Sequence, residues 1–386
     1  MAAASTASRV AVVIDPWDHP YNGTVVSARR FVAALTAEGW DFRLLTIGSE
    51  PEAEGCQRSG FPELRLPGVQ HLIDRMRAPL ARPQRWRLRE ALRGCDLLHV
   101  QFPFLLGHAA IGVARSLGMP IVCSFHVQPE NLLRNLGIDN AALCKALYAM
   151  FLHRFYQRSD HVVAPSAFAA ERLQAAGLTR PWSVVSNGVP EALFELPHRP
   201  GEDGRFHILS VGRLATEKDQ ASLLEAVARS RYKADIALHL VGLGPLQERL
   251  VTRARTLELD AHIGPVDDAA LLDHYARADL VVHCGRVELE GMAVLEAMAT
   301  GNAVLVAEAE TSAASRLIGD PAWRFPAGNV AMLTSRIDEA LASSTERAQA
   351  GATNRRAALP HRHPRCAQAL ADLYRSVIGA PPACHI

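Results

Sequence analysis

Apolar residues gather into short runs along the chain, separated by longer stretches in which they recur every three or four positions. Runs rich in Val, Ile and Leu lie at 10–14, 42–46, 97–100, 121–124, 161–164 and 183–185. They lie again at 206–211, 236–241, 262–263, 280–283 and 303–307. A run apolar at nearly every position is buried on both faces, which is the environment of a parallel sheet. The stretches between have the period of a helix with one buried face. Helices are expected over 23–38 (closed by Gly39), 141–158, 219–229, 245–257 (with Pro245 in its first turn), 268–276 and after Gly291. Strand followed by helix, repeated throughout, predicts an α/β chain of doubly wound parallel sheets.

Length changes this picture first. The chain has 386 residues, and single cores stop growing near ~250–300 residues. Two Rossmann-like domains are therefore expected, 1–190 and 191–364. The break should fall in the Pro/Gly-rich stretch PEALFELPHRPGEDGR at 190–205. Two such sheets imply a deep cleft, with ligands beyond the carboxyl ends of the strands.

Charge and composition mainly exclude. The formal net charge is +1, so no global field draws nucleic acid. Residues 1–190 hold 20 Lys and Arg against 15 Asp and Glu, and the remainder holds 21 against 25. Seven cysteines, at 56, 95, 123, 144, 284, 366 and 384, form no CxxC pair. That suits a reducing compartment. MAAASTASRVAVVID lacks the charged and apolar regions of a secretory signal, and no apolar run approaches the ~20 residues of a membrane span. The expected location is the cytoplasm, as a soluble protein or one peripheral on the inner face of the membrane.

Candidate chemistry sits where strands end. Arg213 and Lys218, in VGRLATEKD, follow the 206–211 run. Cations are normally favoured at the other end of a helix, so a pair at a helix start calls for an external anion such as a diphosphate. In VELEGMAVLEAMATG, Glu288 follows the 280–283 run in a loop, and Gly291, Met292 and Ala293 open a helix. That tip offers free N–H groups to phosphate. Glu288 is placed to accept from sugar hydroxyls, and Glu296, over one turn further on, from a ribose diol. The competing reading makes Glu288 and Glu290 caps and leaves Glu296 solvated. His126, in FHVQPEN, ends the 121–124 run and is expected to face the cleft from the other wall, although a lone His is often structural. Gly23 opens the first helix, and Gly242 begins the tight GLGP turn. His361, His363 and Cys366 lack the paired spacing of a zinc site, so no metal is assigned.

Taken in order, NGT near the start, FHVQ, SNGV at 186–189, GRLxxEKD, GxGP and the Glu288…Glu296 pair followed by AMATG resemble the retaining glycosyltransferases of family 4. The resemblance covers most of the chain. It implies the GT-B fold, with acceptor bound by the first domain and a nucleotide-diphosphate sugar, a UDP- or GDP-hexose, by the second. Arg213 and Lys218 would bind the diphosphate, Glu296 the ribose and Glu288 the sugar hydroxyls. His126 would lie by the reacting carbon, Gly23 would leave room for the donor phosphate, and the backbone at Ile263 would read the base. Gly242, Gly291, Met292 and Ala293 complete the implied donor site. The last helix, about 365–378, would cross back onto the first domain, and no cofactor is required.

The sequence also departs from the family pattern. The common EGFGLP is here ELEGMA, with Leu289, Glu290 and Ala293 at the changed places, and Glu290 is expected to turn outward. HVQPEN at 126–131 and SAASR at 312–316 resemble the branch that glycosylates lipids such as diacylglycerol. Residues 75–93 carry seven arginines, one acid and Trp86, which suits an anionic membrane surface or a plain solvated face. The expected activity is transfer of a hexosyl group to a hydroxyl of a lipid or saccharide acceptor. A nucleotide-sugar epimerase and a non-catalytic nucleotide-sugar or membrane-surface binding protein are the alternatives.

Overall fold

The structure is a computed structural model. It describes residues 8–380 except 20–21, 49–51, 54–55, 69, 71–72, 74–78 and 202. The chain forms two compact units. One holds Met1–Pro129, Asp139–Asn187 and Pro364–Ile386, the other Glu130–Ile138 and Gly188–His363.

Among the described residues the first unit has ten strands: β1 (Arg9–Val13), β2 (Asp41–Ile47), β3 (Glu52–Ala53), β4 (Cys56–Phe61), β5 (Glu63–Leu64), β6 (Leu80–Ala81), β7 (Leu97–Val100), β8 (Ile121–Ser124), β9 (His161–Ala164) and β10 (Trp182–Val184). Eight make one sheet in the order β10-β9-β8-β7-β1-β2-β4-β3, parallel except for the β3–β4 pair. β5 and β6 pair apart from it. β7 and β8 are buried at every position, as their unbroken apolar runs require. β4 was not expected: its CQRSGF buries only Cys56 and Phe61 at its ends, and the polar middle next to the short β3 carries no apolar run. The helix Gly23–Ala37 packs Val25, Ala28, Val32 and Leu35 onto the sheet.

The last helix, His363–Ile378, lays Ala367, Leu370, Ala371 and Tyr374 into this same core. The Tyr374 hydroxyl lies 2.6 Å from His99 Nδ1, and His99 Nε2 lies 2.7 Å from Ser124 Oγ. Burial pushes the His99 imidazole down to about 3, so it is neutral. The helix expected over 141–158 ends at Arg154. Phe155 and Tyr156 turn inward through a short 3-10 segment, because burying two aromatic rings outweighs another turn of helix.

The second unit contains β11 (Phe206–Val211), β12 (Ile236–Val241), β13 (Ala261–Gly264), β14 (Leu280–His283), β15 (Val287–Glu288), β16 (Val304–Glu308), β17 (Thr311–Ser312) and β18 (Arg324–Pro326). Six form an all-parallel sheet in the order β13-β12-β11-β14-β16-β18. The chain winds from β11 outward to β13, then returns to β14 on the other side of β11. The carboxyl ends of β11 and β14 therefore flank the point where the winding reverses, the usual place for a ligand in such a sheet. Among the described residues no helix is long and apolar enough to cross a membrane.

Candidate functional site

The two loops singled out in the second unit leave this reversal point side by side. The loop after β11 carries Arg213 and then a 3-10 turn, Thr216–Lys218. Asp219 follows with φ +48, so the helix starts at Gln220, one residue later than expected. The Arg213 side chain is half-buried, and its carbonyl accepts from Gln220 Nε2 at 2.8 Å. The loop is seated on the turn after β12. Leu214 N donates to Leu243 O and Leu246 N to Leu214 O, each at 3.0 Å. That second bond holds 245–246 out of the helix, which begins at Gln247. A Cβ on Gly242 would lie 2.0 Å from Gly212 O, so only glycine lets the two turns meet.

The loop after β14 meets the first loop through two ion pairs and a backbone bond. Lys218 Nζ bonds Glu288 Oε1. Arg286 Nη2 and Nε reach Asp219 Oδ2 at 2.7 and 2.9 Å. Arg286 N donates to Glu217 O at 2.8 Å. Lys218 therefore has an internal anion, where the sequence called for an external one. Glu288 is not in a free loop either: it lies in β15, which pairs with β17, and its carbonyl accepts from Ala313 N at 2.9 Å. Burial raises the Glu288 carboxyl, but Lys218 and His283 more than offset this and hold it near 2.

Gly291, at φ +102, is the N-cap of the helix Met292–Ala299 and has no side-chain cap. Its carbonyl accepts from Val294 N and Leu295 N, leaving Met292 N and Ala293 N without acceptors among the described residues. The Glu296 carboxylate is half-buried, and the buried Tyr275 hydroxyl donates to it at 3.2 Å. Glu290 does not turn outward as expected. It is 4% exposed, drawn in where the 288–291 segment is pressed against 312–317. Ile263 is half-buried in β13, next to Gly264, whose carbonyl accepts from Gly242 N.

In the first unit, His126 follows β8 and lines a small cavity of about 30 Å³ with Ser27, His99, Gln101, Asn187 and Tyr374. That is room for one or two waters. Burial lowers the His126 imidazole to about 4, so it is neutral at pH 7. Gly23 is exposed at the first turn of its helix, which Asn22 caps by accepting from Thr24 N at 3.0 Å. Among the described residues no group of three His, Cys, Asp or Glu side chains is arranged to hold a metal.

Sequence reasoning missed His283, the Asp219–Arg286 pair and Tyr275. His283 left a trace: it is the one polar residue in LVVH, at the carboxyl end of a wholly buried strand. Its Nε2 lies 3.1 Å from Glu288 Oε1. Tyr275 lies in an ordinary amphipathic helix, and only packing brings its hydroxyl to Glu296.

Comparison with known proteins gives the family and the fold. Residues 21–193 match the model of Glycosyltransferase Family 4, and 195–357 that of Glycosyl transferases group 1. A GDP-mannose-dependent alpha-mannosyltransferase of Mycolicibacterium smegmatis is 31% identical over 316 residues, covering 78% of this chain and 80% of that protein. The chain is a family 4 glycosyltransferase. Another relative of this glycosyltransferase is the alpha-monoglucosyldiacylglycerol synthase of Streptococcus pneumoniae. It is 27% identical over 229 residues, covering 54% of this chain and 51% of that protein. The GT-B fold is shared with sucrose-phosphate synthase from Thermosynechococcus elongatus, at TM-score 0.75 and 17% identity over 97% of this chain and 100% of that one. It is shared too with HepE of Anabaena in complex with UDP and glucose, at TM-score 0.76 and 16% identity over 96% and 100%.

Proposed function

We propose that this glycosyltransferase moves a hexosyl group from a nucleotide-diphosphate sugar to an acceptor hydroxyl, with retention at the anomeric carbon. The observation that carries the reading is the meeting of Lys218, Glu288 and the Gly291 helix start at the reversal point of the second unit. Charge grows on the leaving diphosphate in the transition state. Arg213, Lys218 and the N–H groups of Met292 and Ala293 answer it as hydrogen-bond donors. Glu288 accepts from the sugar hydroxyls, and Glu296, held by Tyr275, from the ribose. Gly23, Gly242 and the backbone at Ile263 complete the donor contacts. His126 takes part as a neutral imidazole, a hydrogen-bonding group rather than a charge. No carboxylate is assigned as a nucleophile, so the acceptor attacks on the face from which the diphosphate departs.

The GDP-mannose named for the mycobacterial relative makes GDP-mannose the first donor to test, with UDP-glucose second. The acceptor proposed is a lipid or saccharide hydroxyl. The lipid reading is supported by the diacylglycerol named for the streptococcal relative and by the helix Arg85–Leu92. That helix buries Leu88, Ala91 and Leu92 and exposes Arg85, Arg87, Arg89 and Trp86, the last at 64%. Arg75 and Arg77 lie outside the described residues. The test is transfer from each nucleotide sugar to lipid and saccharide acceptors, with the anomeric configuration of the product read by NMR. Arg213→Ala should cut turnover at least ~10²-fold, the usual loss with one oxyanion donor. Near-full turnover in that variant, or an inverted product, refutes the proposal.

A further inference from the structure

We infer that His283 is a positioning residue for the donor-binding carboxylate: it takes over Glu288 Oε1 when Lys218 turns to the diphosphate, keeping Oε2 aimed at the sugar hydroxyls. This rests on the reading above that Lys218 and Glu288 bind the donor.

Three observations lead here. First, one carboxylate oxygen is asked to serve two donors. Lys218 Nζ bonds Glu288 Oε1, and His283 Nε2 lies 3.1 Å from that same atom. Second, the imidazole is close but not aligned. Nε2 is buried and has no hydrogen-bond partner of normal geometry among the described residues, although the carboxylate is beside it. An N–H left unmade in the interior is costly, and the carboxylate within reach is that of Glu288, whose side chain is 14% exposed. Third, the room between ring and carboxylate is reserved. A Cβ on Gly285 would meet His283 Nε2 at 2.5 Å and Glu288 Oε1 at 3.3 Å.

The two donors differ in mobility. Lys218 ends in an ammonium on a flexible four-carbon stem, suited to swinging between anions. His283 is the last residue of β14, paired in register with Val306, and its ring is walled in. Once Lys218 engages the diphosphate, Glu288 is a nearly buried carboxylate that has lost its cation. The His283 N–H then aligns on Oε1 and holds the group in place, and Oε2 remains for the sugar. No proton is transferred and no bond to the substrate is made by the imidazole.

The test separates sugar from diphosphate. Affinity for GDP, UDP and their hexose conjugates is measured by calorimetry, and kcat and KM by transfer, for wild type, His283→Phe, His283→Gln and Gly285→Ala. Phe keeps the bulk and removes the donor. Gly285→Ala leaves every functional group in place and wedges the ring from the carboxylate, so it serves even if His283→Phe folds poorly. Nucleoside diphosphate affinity should fall in both, because Lys218 then leaves Glu288 without a donor. The additional affinity conferred by the sugar, and kcat, should fall ~10- to 100-fold, as for a lost charge-assisted hydrogen bond. His283→Gln, which retains an N–H, should recover part of the loss. Wild-type kcat in His283→Phe, or an undiminished contribution of the sugar to affinity, overturns the inference alone. A wild-type protein that binds no nucleoside diphosphate overturns the donor reading with it.

Discussion

Replacing Lys218 by Met tests how the second unit tolerates a buried carboxylate. Met keeps the stem's volume and removes the charge. Glu288, 14% exposed, then loses the ammonium on its Oε1. In the native chain its carboxyl is held near 2 instead of 4.5, and that difference corresponds to about 3 kcal/mol. Breaking one side of such a pair typically costs as much. The direction with pH follows. The folded-state value is below the unfolded one, so the stabilisation is complete above pH 4.5 and is lost as pH falls through 4.5 toward 2. Urea unfolding of wild type and Lys218→Met, followed across pH 7 to 3, should show a gap at neutral pH of at most ~3 kcal/mol, since His283 shares in holding the carboxyl down. The gap should close as the solution is acidified. The double variant Lys218→Met/Glu288→Leu should regain stability at pH 7 while remaining inactive, since an apolar pair of similar volume removes the desolvation cost. A gap that is absent, or constant with pH, refutes the assignment of that energy to this pair.

Three further outcomes are expected. His239, flanked by His207, His274 and His262, is lowered to about 4 by burial and then by those neighbours, so the second unit should lose stability as pH falls from 6.5 to 4. His239→Gln should flatten that part of the urea-unfolding profile, and an unchanged slope counts against the histidine cluster as its source. Gly242→Ala forces a Cβ onto Gly212 O. It should cost ~1–3 kcal/mol in denaturant unfolding and lower activity by shifting the Arg213 loop, whereas wild-type activity and stability would show that the two turns are not tightly seated. Replacing Arg85, Trp86, Arg87 and Arg89 together by Ser should weaken binding to anionic vesicles in a sedimentation assay and leave soluble-donor binding intact. Unchanged sedimentation removes the membrane reading of that helix.

Much of the architecture was legible because burial on both faces leaves a plain mark. Leu97–Val100, Ile121–Ser124, His161–Ala164, Phe206–Val211, Ile236–Val241 and Leu280–His283 are strands over the very residues their apolar runs indicated. The strand Cys56–Phe61 escaped because its middle, Gln57–Gly60, is polar or small and carries no apolar run. Glu290 escaped for a different reason: composition sends an acid to the surface, and only tertiary packing buries it.

Periodicity alone therefore determined that the chain is α/β with parallel sheets, and that its chemistry-bearing residues stand at strand ends. Those properties follow from local spacing, and local spacing is written in the chain. Partnership among the side chains was decided only by the tertiary structure. Lys218 and Glu288 are 70 positions apart, and they meet because β14 returns to the flank of β11 after β12 and β13 have wound away on the other side. Tyr374 reaches His99 across 275 positions because the last helix docks on the first sheet. No local pattern carries such pairings: a buried ion pair or hydrogen bond depends on the three-dimensional neighbour that compensates each polar group, and that neighbour is set by how the sheets wind.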